Sequence, residues 1–108
     1  MAYTDKQEFK IPRHIVLKGG VNAETITGVR VMDYTDSQVQ ILDNSSGSAL
    51  DCKLPEPKEG AFFFIQSAGS NAIHIRDAGT TVTYAILATG EGCMVASDST
   101  EYHLVFKA

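Results

Sequence analysis

The sequence predicts an all-β protein with a single small β-sandwich or jelly-roll-like domain. Apolar and polar side chains alternate in residues 38–42 and 72–76, and alternation places the two kinds of side chain on opposite faces of a strand. Turns containing glycine, serine or aspartate separate such segments at intervals of about 8–12 residues, as in sandwiches and small barrels. Helical evidence is thin, since only residues 84–89 would suit one helical turn and Gly90 follows at once.

The start of the chain differs from the rest in pattern and charge. Residues 1–18 are predicted to form an extended N-terminal arm, and residues 19–108 to form the sandwich domain. Pro12 donates no backbone hydrogen bond, so it excludes a central strand at that position. The first 20 residues carry four basic and two acidic side chains, whereas the remainder carries five basic and eleven acidic ones.

About nine strands are expected from the turn spacing. After the turn at Gly19 and Gly20, residues 26–32 are predicted to form a strand with a β-bulge at Gly28, because an isolated glycine inside a strand often marks a bulge. The later strands are predicted at residues 38–42, 49–54, 61–66, 72–76, 81–85, 93–97 and 101–106.

Charge and hydropathy exclude two classes of partner. The net charge is −4, and an acidic body lacks the concentrated basic face that nucleic-acid binding requires. The longest apolar run, residues 61–65, is far shorter than the ~20 residues of a membrane-spanning helix. The first residues also lack the apolar stretch of a secretory signal, so we expect synthesis in a cytoplasm and no membrane partner.

Cys52 and Cys93 are predicted to be buried thiols. They lie 41 positions apart, each within a predicted strand, and the sequence contains no close cysteine pair of the kind that binds zinc. A disulfide between them is the alternative, which a reducing compartment disfavours.

The histidines are predicted to be ordinary polar residues of amphipathic strands. His74 lies between two isoleucines and His103 between a tyrosine and a leucine, so both side chains, like that of Arg76, are expected to face outward. On neighbouring strands the two imidazoles, with Glu101, would offer zinc ligands. We prefer the first interpretation and expect neither a metal nor a cofactor.

No catalytic signature accompanies the strands. The chain has no nucleophile elbow of the Gly-x-Ser-x-Gly kind, and its serines fall in turns or at strand ends, where hydroxyls bond to nearby backbone groups. Two acidic pairs that are close in sequence, Asp33 with Asp36 and Glu56 with Glu59, lie in predicted loops. The sequence therefore predicts a protein that is not an enzyme.

Three consecutive phenylalanines, Phe62 to Phe64, point to a contact surface. In a strand, at least one of the three rings must face away from the side that the others share. Two explanations stay open: an oligomer contact, or a strand covered on both sides with the N-terminal arm as the second cover. Phe63 is the candidate partner-contact residue of this run.

The order of motifs along the chain is less generic than each motif. The first series runs from Ile41-Leu42-Asp43 through a Ser/Gly/Ala loop to Leu54-Pro55-x-Pro57, Gly60 and an aromatic strand. The second series contains Asp77-Ala-Gly79-Thr80-Thr81-Val82, Gly90-Glu91-Gly92, a valine strand, Ser97-Asp98-x-Thr100 and Tyr102. Over about three-fifths of the chain, residues 41–106, this order resembles small tailed-phage virion proteins, including capsid decoration (cement) proteins and fibre domains. It departs from the usual pattern at Ser99, where glycine is usual, and in lacking a tryptophan near Tyr102.

The resemblance to cement proteins implies a structural role. It implies assembly as homotrimers (dimers occur) and binding to the major capsid protein on the outside of the shell. The expected location is the virion surface, after synthesis in the host bacterial cytoplasm. We predict capsid contacts at Tyr3, Phe9, Ile11 and Arg13, because the arm is apolar, basic and outside the sandwich pattern.

The alternative function is a fibre- or tail-associated module that binds host-surface carbohydrate. Sugar sites commonly present an exposed aromatic ring flanked by Asp, Asn or Arg. Tyr34, near Asp33 and Asp36, is the candidate ring, and the chain contains no tryptophan.

Overall fold

The structure, a computed structural model, describes residues 19–108. The predicted arm, with the candidate contacts Tyr3, Phe9, Ile11 and Arg13, lies outside the described residues. Within residues 19–108 every regular element is a strand, so the all-β prediction is confirmed. This part of the chain contains no helix of the length and hydropathy needed to cross a membrane.

Nine strands form over residues 19–108, close to the expected number. They are β1 (Val21–Ile26), β2 (Arg30–Val31), β3 (Val39–Asn44), β4 (Leu50–Lys53), β5 (Phe62–Ser67), β6 (Ile73–Arg76), β7 (Thr83–Leu87), β8 (Gly92–Ser97) and β9 (Tyr102–Lys107). They make a five-stranded sheet in the order β1-β3-β5-β8-β9 and a four-stranded sheet in the order β2-β4-β6-β7.

The first six strands alternate between the two sheets, so the chain winds around the core; this winding path, β1 to β6, is called the coil below. Each strand from β2 to β6 lies in the opposite sheet from the strand before it, and within each sheet the successive strands run parallel. The last three strands then pair antiparallel with β6, β5 and β8. Both sheets are therefore mixed.

The jelly-roll part of the expectation is not confirmed. A jelly roll is built from antiparallel strands, whereas four of the seven strand pairs over residues 19–108 are parallel. The turn spacing that is typical of sandwiches and small barrels also suits a chain that passes from one sheet to the other at each turn. Spacing alone does not distinguish them.

One hydrophobic core lies between the sheets, and strand alternation explains its membership. Ile73 and Ile75 of the four-stranded sheet are fully buried, as are Leu42 and Val95 of the five-stranded sheet. The intervening residues of each strand face outward. Burying such side chains is worth roughly 1.5–3 kcal/mol each, which makes this core the main source of stability.

Two local expectations are corrected. Residues 26–32 do not form one bulged strand, because the chain leaves the five-stranded sheet after Ile26 and enters the four-stranded sheet at Arg30. Gly28 lies in the segment that connects the two sheets. Residues 84–89 do not form a helical turn; Ala85 and Leu87 alternate into the core as part of β7.

The prediction of buried thiols is confirmed. Cys52 and Cys93 are free and lie in opposite sheets, 0% and 3% exposed. Burial raises the pKa of the Cys52 thiol to about 12 and that of Cys93 to about 11. The Cys52 sulfur lies 3.5 Å from the sulfur of Met32, so it packs as an apolar group.

Candidate functional site

The outer face of the five-stranded sheet carries an apolar row that crosses every strand. Strand register places one outward side chain from each strand side by side, because paired residues share a face. These five residues, here called the apolar row, are Val21, Val39, Phe64, Met94 and Phe106. Val21 and Phe106, at the two sheet edges, are 60% and 49% exposed.

The positions on both sides of the apolar row are also uncharged or weakly polar. On one side register aligns Ala23, Ile41, Gln66 and Gly92; on the other it aligns Phe62, Ala96 and His103. None of these residues is an aspartate, glutamate, lysine or arginine. The apolar row and these neighbours are called the outer A face below.

A shallow groove indents the outer A face. It has a volume of about 290 Å³ and is lined mainly by apolar residues, among them Ile41, Phe64 and Phe106. Gly92 also lines it and has no side chain to fill the space. The Phe64 ring lies between two others, with centroids 5.8 Å from Phe62 and 6.5 Å from Phe106. A groove of this kind suits an apolar side chain from a neighbouring molecule.

The position of Phe63 is a correction to the predicted site. Its side chain is 2% exposed and packs in the core near Tyr34 and Tyr102, so it does not present a surface to a partner. The alternation of β5 sends Phe62 and Phe64 to the outer A face instead. The sequence indicated the strand but not which of its faces is buried.

The outer face of the four-stranded sheet differs in character, because charges lie across its middle strands. His74 and Arg76 face outward as predicted, and each has a nitrogen 3.8 Å from a carboxylate oxygen of Asp51. Lys53 aligns with Arg76 on the same face. Such charges suit contact with water, so the two outer faces of the molecule are unlike.

The alternative zinc site, with His74 and His103 on neighbouring strands, is not formed within residues 19–108. His74 lies in the four-stranded sheet and His103 in the five-stranded sheet, so the two are not on neighbouring strands. Ligand atoms of His103, Glu101 and Asp98 do lie within 4.8 Å of one another. His103 Nε2, however, lies 2.9 Å from Asp98 Oδ2, while the other oxygen, Oδ1, accepts hydrogen bonds from the backbone N–H groups of Thr100 and Glu101. This cluster closes the turn before β9.

Tyr34, the candidate sugar platform, is committed to contacts within the chain. Its ring stacks on Phe63 at 6.2 Å between centroids, and Lys58 Nζ lies 5.5 Å from the ring centre. Its hydroxyl donates a hydrogen bond to the Glu56 carbonyl and lies 3.0 Å from that of Tyr102. Burial raises the pKa of Tyr102. The side chain is nevertheless 42% exposed, and with Asp36 and Lys58 it lines a cleft of about 470 Å³.

An ion-pair network that the sequence did not suggest lies at the start of the coil. Arg30 of β2 donates to Glu24 of β1 at 3.0 Å and to Asp36 at 2.9 Å. The hydrogen bond from Arg30 lowers the pKa of Asp36 and raises that of Arg30. Asp33, three residues before Asp36, accepts a hydrogen bond from the backbone N–H of Thr35. Both members of this acidic pair therefore organise the turn.

Comparison of the chain with protein-family models, with curated proteins and with solved structures finds no match.

Proposed function

We propose that this protein is a structural component of a phage virion that binds the outside of the capsid shell and stabilises it, as decoration proteins do. The observation that carries the proposal is the outer A face, an exposed apolar surface on an all-β domain (residues 19–108), which suits a protein that works in contact with other protein chains. Contiguous apolar surface of this kind commonly marks a protein–protein contact. The order of strand and turn motifs over residues 41–106 supports the virion assignment.

A stiff scaffold suits this task. We take the two sheets as the layers of a small sandwich whose shared core holds the outward side chains in fixed positions. Bound at junctions between capsid subunits, many such copies would resist the outward pressure of packaged DNA. Contacts of about 800 Å² per partner would suffice for each copy, and multivalency in a homotrimer would multiply modest affinities.

We assign capsid contact to the N-terminal residues Tyr3, Phe9, Ile11 and Arg13. They combine apolar side chains with a local excess of positive charge, whereas residues 21–108 are acidic. The test is co-sedimentation with purified shells after residues 1–13 are deleted, and again after these four side chains are changed to serine. Both variants should lose binding, while a control with serine at Thr4 and Gln7 should bind normally. Undiminished binding of the deleted chain would overturn this assignment.

The location in the particle is tested separately. Gel densitometry of purified particles should give a copy number comparable with that of the shell protein, and electron microscopy should place the chain on the shell surface. A few copies at the tail would contradict the proposal and favour the fibre-associated alternative. The Tyr34 side chain is 42% exposed beside a cleft that Asp36 and Lys58 also line, so binding to a glycan array tests that alternative directly.

A further inference from the structure

We infer that the outer A face is the surface through which copies of this chain associate, with the five-stranded sheets turned toward a shared symmetry axis. The inference deepens the proposed function and rests on it for the expectation that copies assemble. It assigns the contact to Val21, Val39, Phe64, Met94 and Phe106, with the groove beside Gly92 receiving an apolar side chain of the neighbour.

The dimensions of the face fit another sheet. Five strands about 4.8 Å apart and six residues long, at about 3.3 Å per residue, give a face of about 24 by 20 Å. This area of about 480 Å² matches the largest apolar patch of a typical monomer, about 300–600 Å², which is often a functional surface. It is below the standard contact of about 800 Å² per partner, so we expect reversible association.

The charge distribution fits a copy of the same chain. In a closed symmetric oligomer, equivalent surfaces meet, so any charge on the contact surface lies near its own copies. The apolar row and the rows beside it contain no carboxylate, lysine or arginine, and the nearest acidic groups lie at their border: Asp43, outward on β3 beyond Ile41, and Asp98, which pairs with His103. The ionisable groups are therefore confined to the rim, away from the centre of the contact, where like charges would oppose association most.

The N-terminal residues 1–18 are a poorer occupant for two reasons. In extended form a segment covers a strip about one strand wide, about 4.8 Å, whereas the face is about 20 Å deep. The first 20 residues also carry a basic excess, and the outer A face offers acidic side chains to attract it only at its border, at Asp43 and Asp98. A second sheet covers the whole face and needs no such charge.

The opposite face of the molecule is a poorer contact and supplies a matched control. Asp51, His74, Arg76 and Lys53 lie across the outer face of the four-stranded sheet. Ile86 is exposed there, at 52%, close to the 49% of Phe106. A charge introduced at Ile86 is therefore about as exposed as one introduced at Phe106, but it lies on the opposite face of the molecule.

The test is sedimentation equilibrium of the full chain, with Phe64→Glu and Phe106→Lys as variants and Ile86→Glu as the control. The wild-type chain and the control should associate reversibly. Each variant should weaken association by roughly 100-fold or more, because an unpaired charge would be buried at the contact. Thermal unfolding followed by circular dichroism verifies the fold. If Phe64→Glu does not fold, Phe106→Lys still tests the contact, because Phe106 lies on the edge strand β9, where a charge is expected to be tolerated.

Three outcomes would overturn the inference. One is a wild-type chain that stays monomeric at all concentrations, and another is an oligomer that neither Phe64→Glu nor Phe106→Lys weakens. The third is association only after residues 1–18 are deleted, which would identify that segment as the cover. Capsid co-sedimentation of the same variants separates the two proposals: monomers that still bind shells leave the proposed function standing, whereas oligomers that bind none contradict only that function.

Discussion

Gly69 lies where the turn after β5 passes against the end of β3. A side chain at this position would place its first carbon 2.5 Å from the backbone nitrogen of Asn44 and 2.8 Å from the Asn44 carbonyl oxygen, and against the Asp43 carboxylate. Backbone atoms do not move aside as the end of a flexible side chain does. Glycine is required here by close approach of two segments.

Gly69→Ala is therefore expected to destabilise the protein by about 1–3 kcal/mol, the usual cost of overpacking. Gly28→Ala is the matched control, because nothing lies within 4 Å of the added carbon there. It should change stability by about 0.5 kcal/mol or less. Urea unfolding monitored by circular dichroism measures both, and equal midpoints would refute the close approach.

The Asp98–His103 pair makes part of the stability depend on pH. The hydrogen bond from His103 lowers the Asp98 pKa from 3.8 to about 2, and the same bond raises the His103 pKa above 6.5. Because the Asp98 pKa is lower in the folded state, the pair stabilises the fold fully above pH 3.8, and this contribution disappears as the pH falls toward 2. Because the His103 pKa is higher in the folded state, the protonated histidine stabilises the fold fully below pH 6.5. This contribution disappears as the pH rises through the pKa of His103 in the folded protein.

Asp98→Asn should accordingly lower the melting temperature most between pH 3.8 and 6.5 and less on either side. Melting temperatures of the two proteins, measured from acidic to alkaline pH, check the shape of this difference. Glu101→Gln should show a smaller effect confined to the histidine range, because Glu101 raises the His103 pKa through its charge alone, after the larger contribution of Asp98. A difference independent of pH would show that the pair contributes nothing through its charges.

At the scale of elements, β1, β2 and the turn before β3 are joined by Arg30. Its side chain is 19% exposed, and the Glu24 and Asp36 side chains are 35% and 23% exposed, so water screens the network only in part. The first turn of the coil has no earlier strand within residues 19–108 to pack against. The arginine therefore ties the free end of the coil together.

We expect Arg30→Ala to cost about 1–2 kcal/mol, because two partly screened carboxylates would lose their common partner. The stability of Arg30→Lys should lie between those of the wild type and Arg30→Ala, since lysine keeps the charge but not the planar guanidinium that reaches both acids. Denaturant unfolding measures the stability, and hydrogen exchange of β1 amides reports the end of the coil. Unchanged exchange in β1 would argue against this role.

At the scale of the whole molecule, the two sheets share one core and are expected to unfold together. Cys52 in the four-stranded sheet and Cys93 in the five-stranded sheet are internal reporters, since both thiols are buried and have raised pKa values. Thiolate, the reactive form, is therefore scarce as well as inaccessible in the folded state.

Both thiols should react with an alkylating reagent at the same slow rate, limited by global opening, and mild denaturant should accelerate both equally. Mass spectrometry of peptides from timed reactions measures each cysteine separately. Faster modification of Cys93 would instead show that the five-stranded sheet opens by itself.

Alternation along short segments was enough to predict the strands from β3 onward, the outward side chains of His74 and Arg76, and the buried thiols. It failed where the deciding interaction is distant in sequence. Gly28 has the same local pattern whether the chain bulges or changes sheet. The triple phenylalanine run has the same alternation whether Phe63 or its neighbours face the core.

Local order of apolar and polar residues thus specified an all-β chain with short amphipathic strands, because side-chain direction in a strand depends only on position along it. The coil between two sheets, the Arg30 network and the apolar row were decided by tertiary structure. Val21 and Phe106 lie at opposite edges of one sheet, and only the register of all five strands places them on one line. Register depends on packing between segments far apart in the chain, which no single segment encodes.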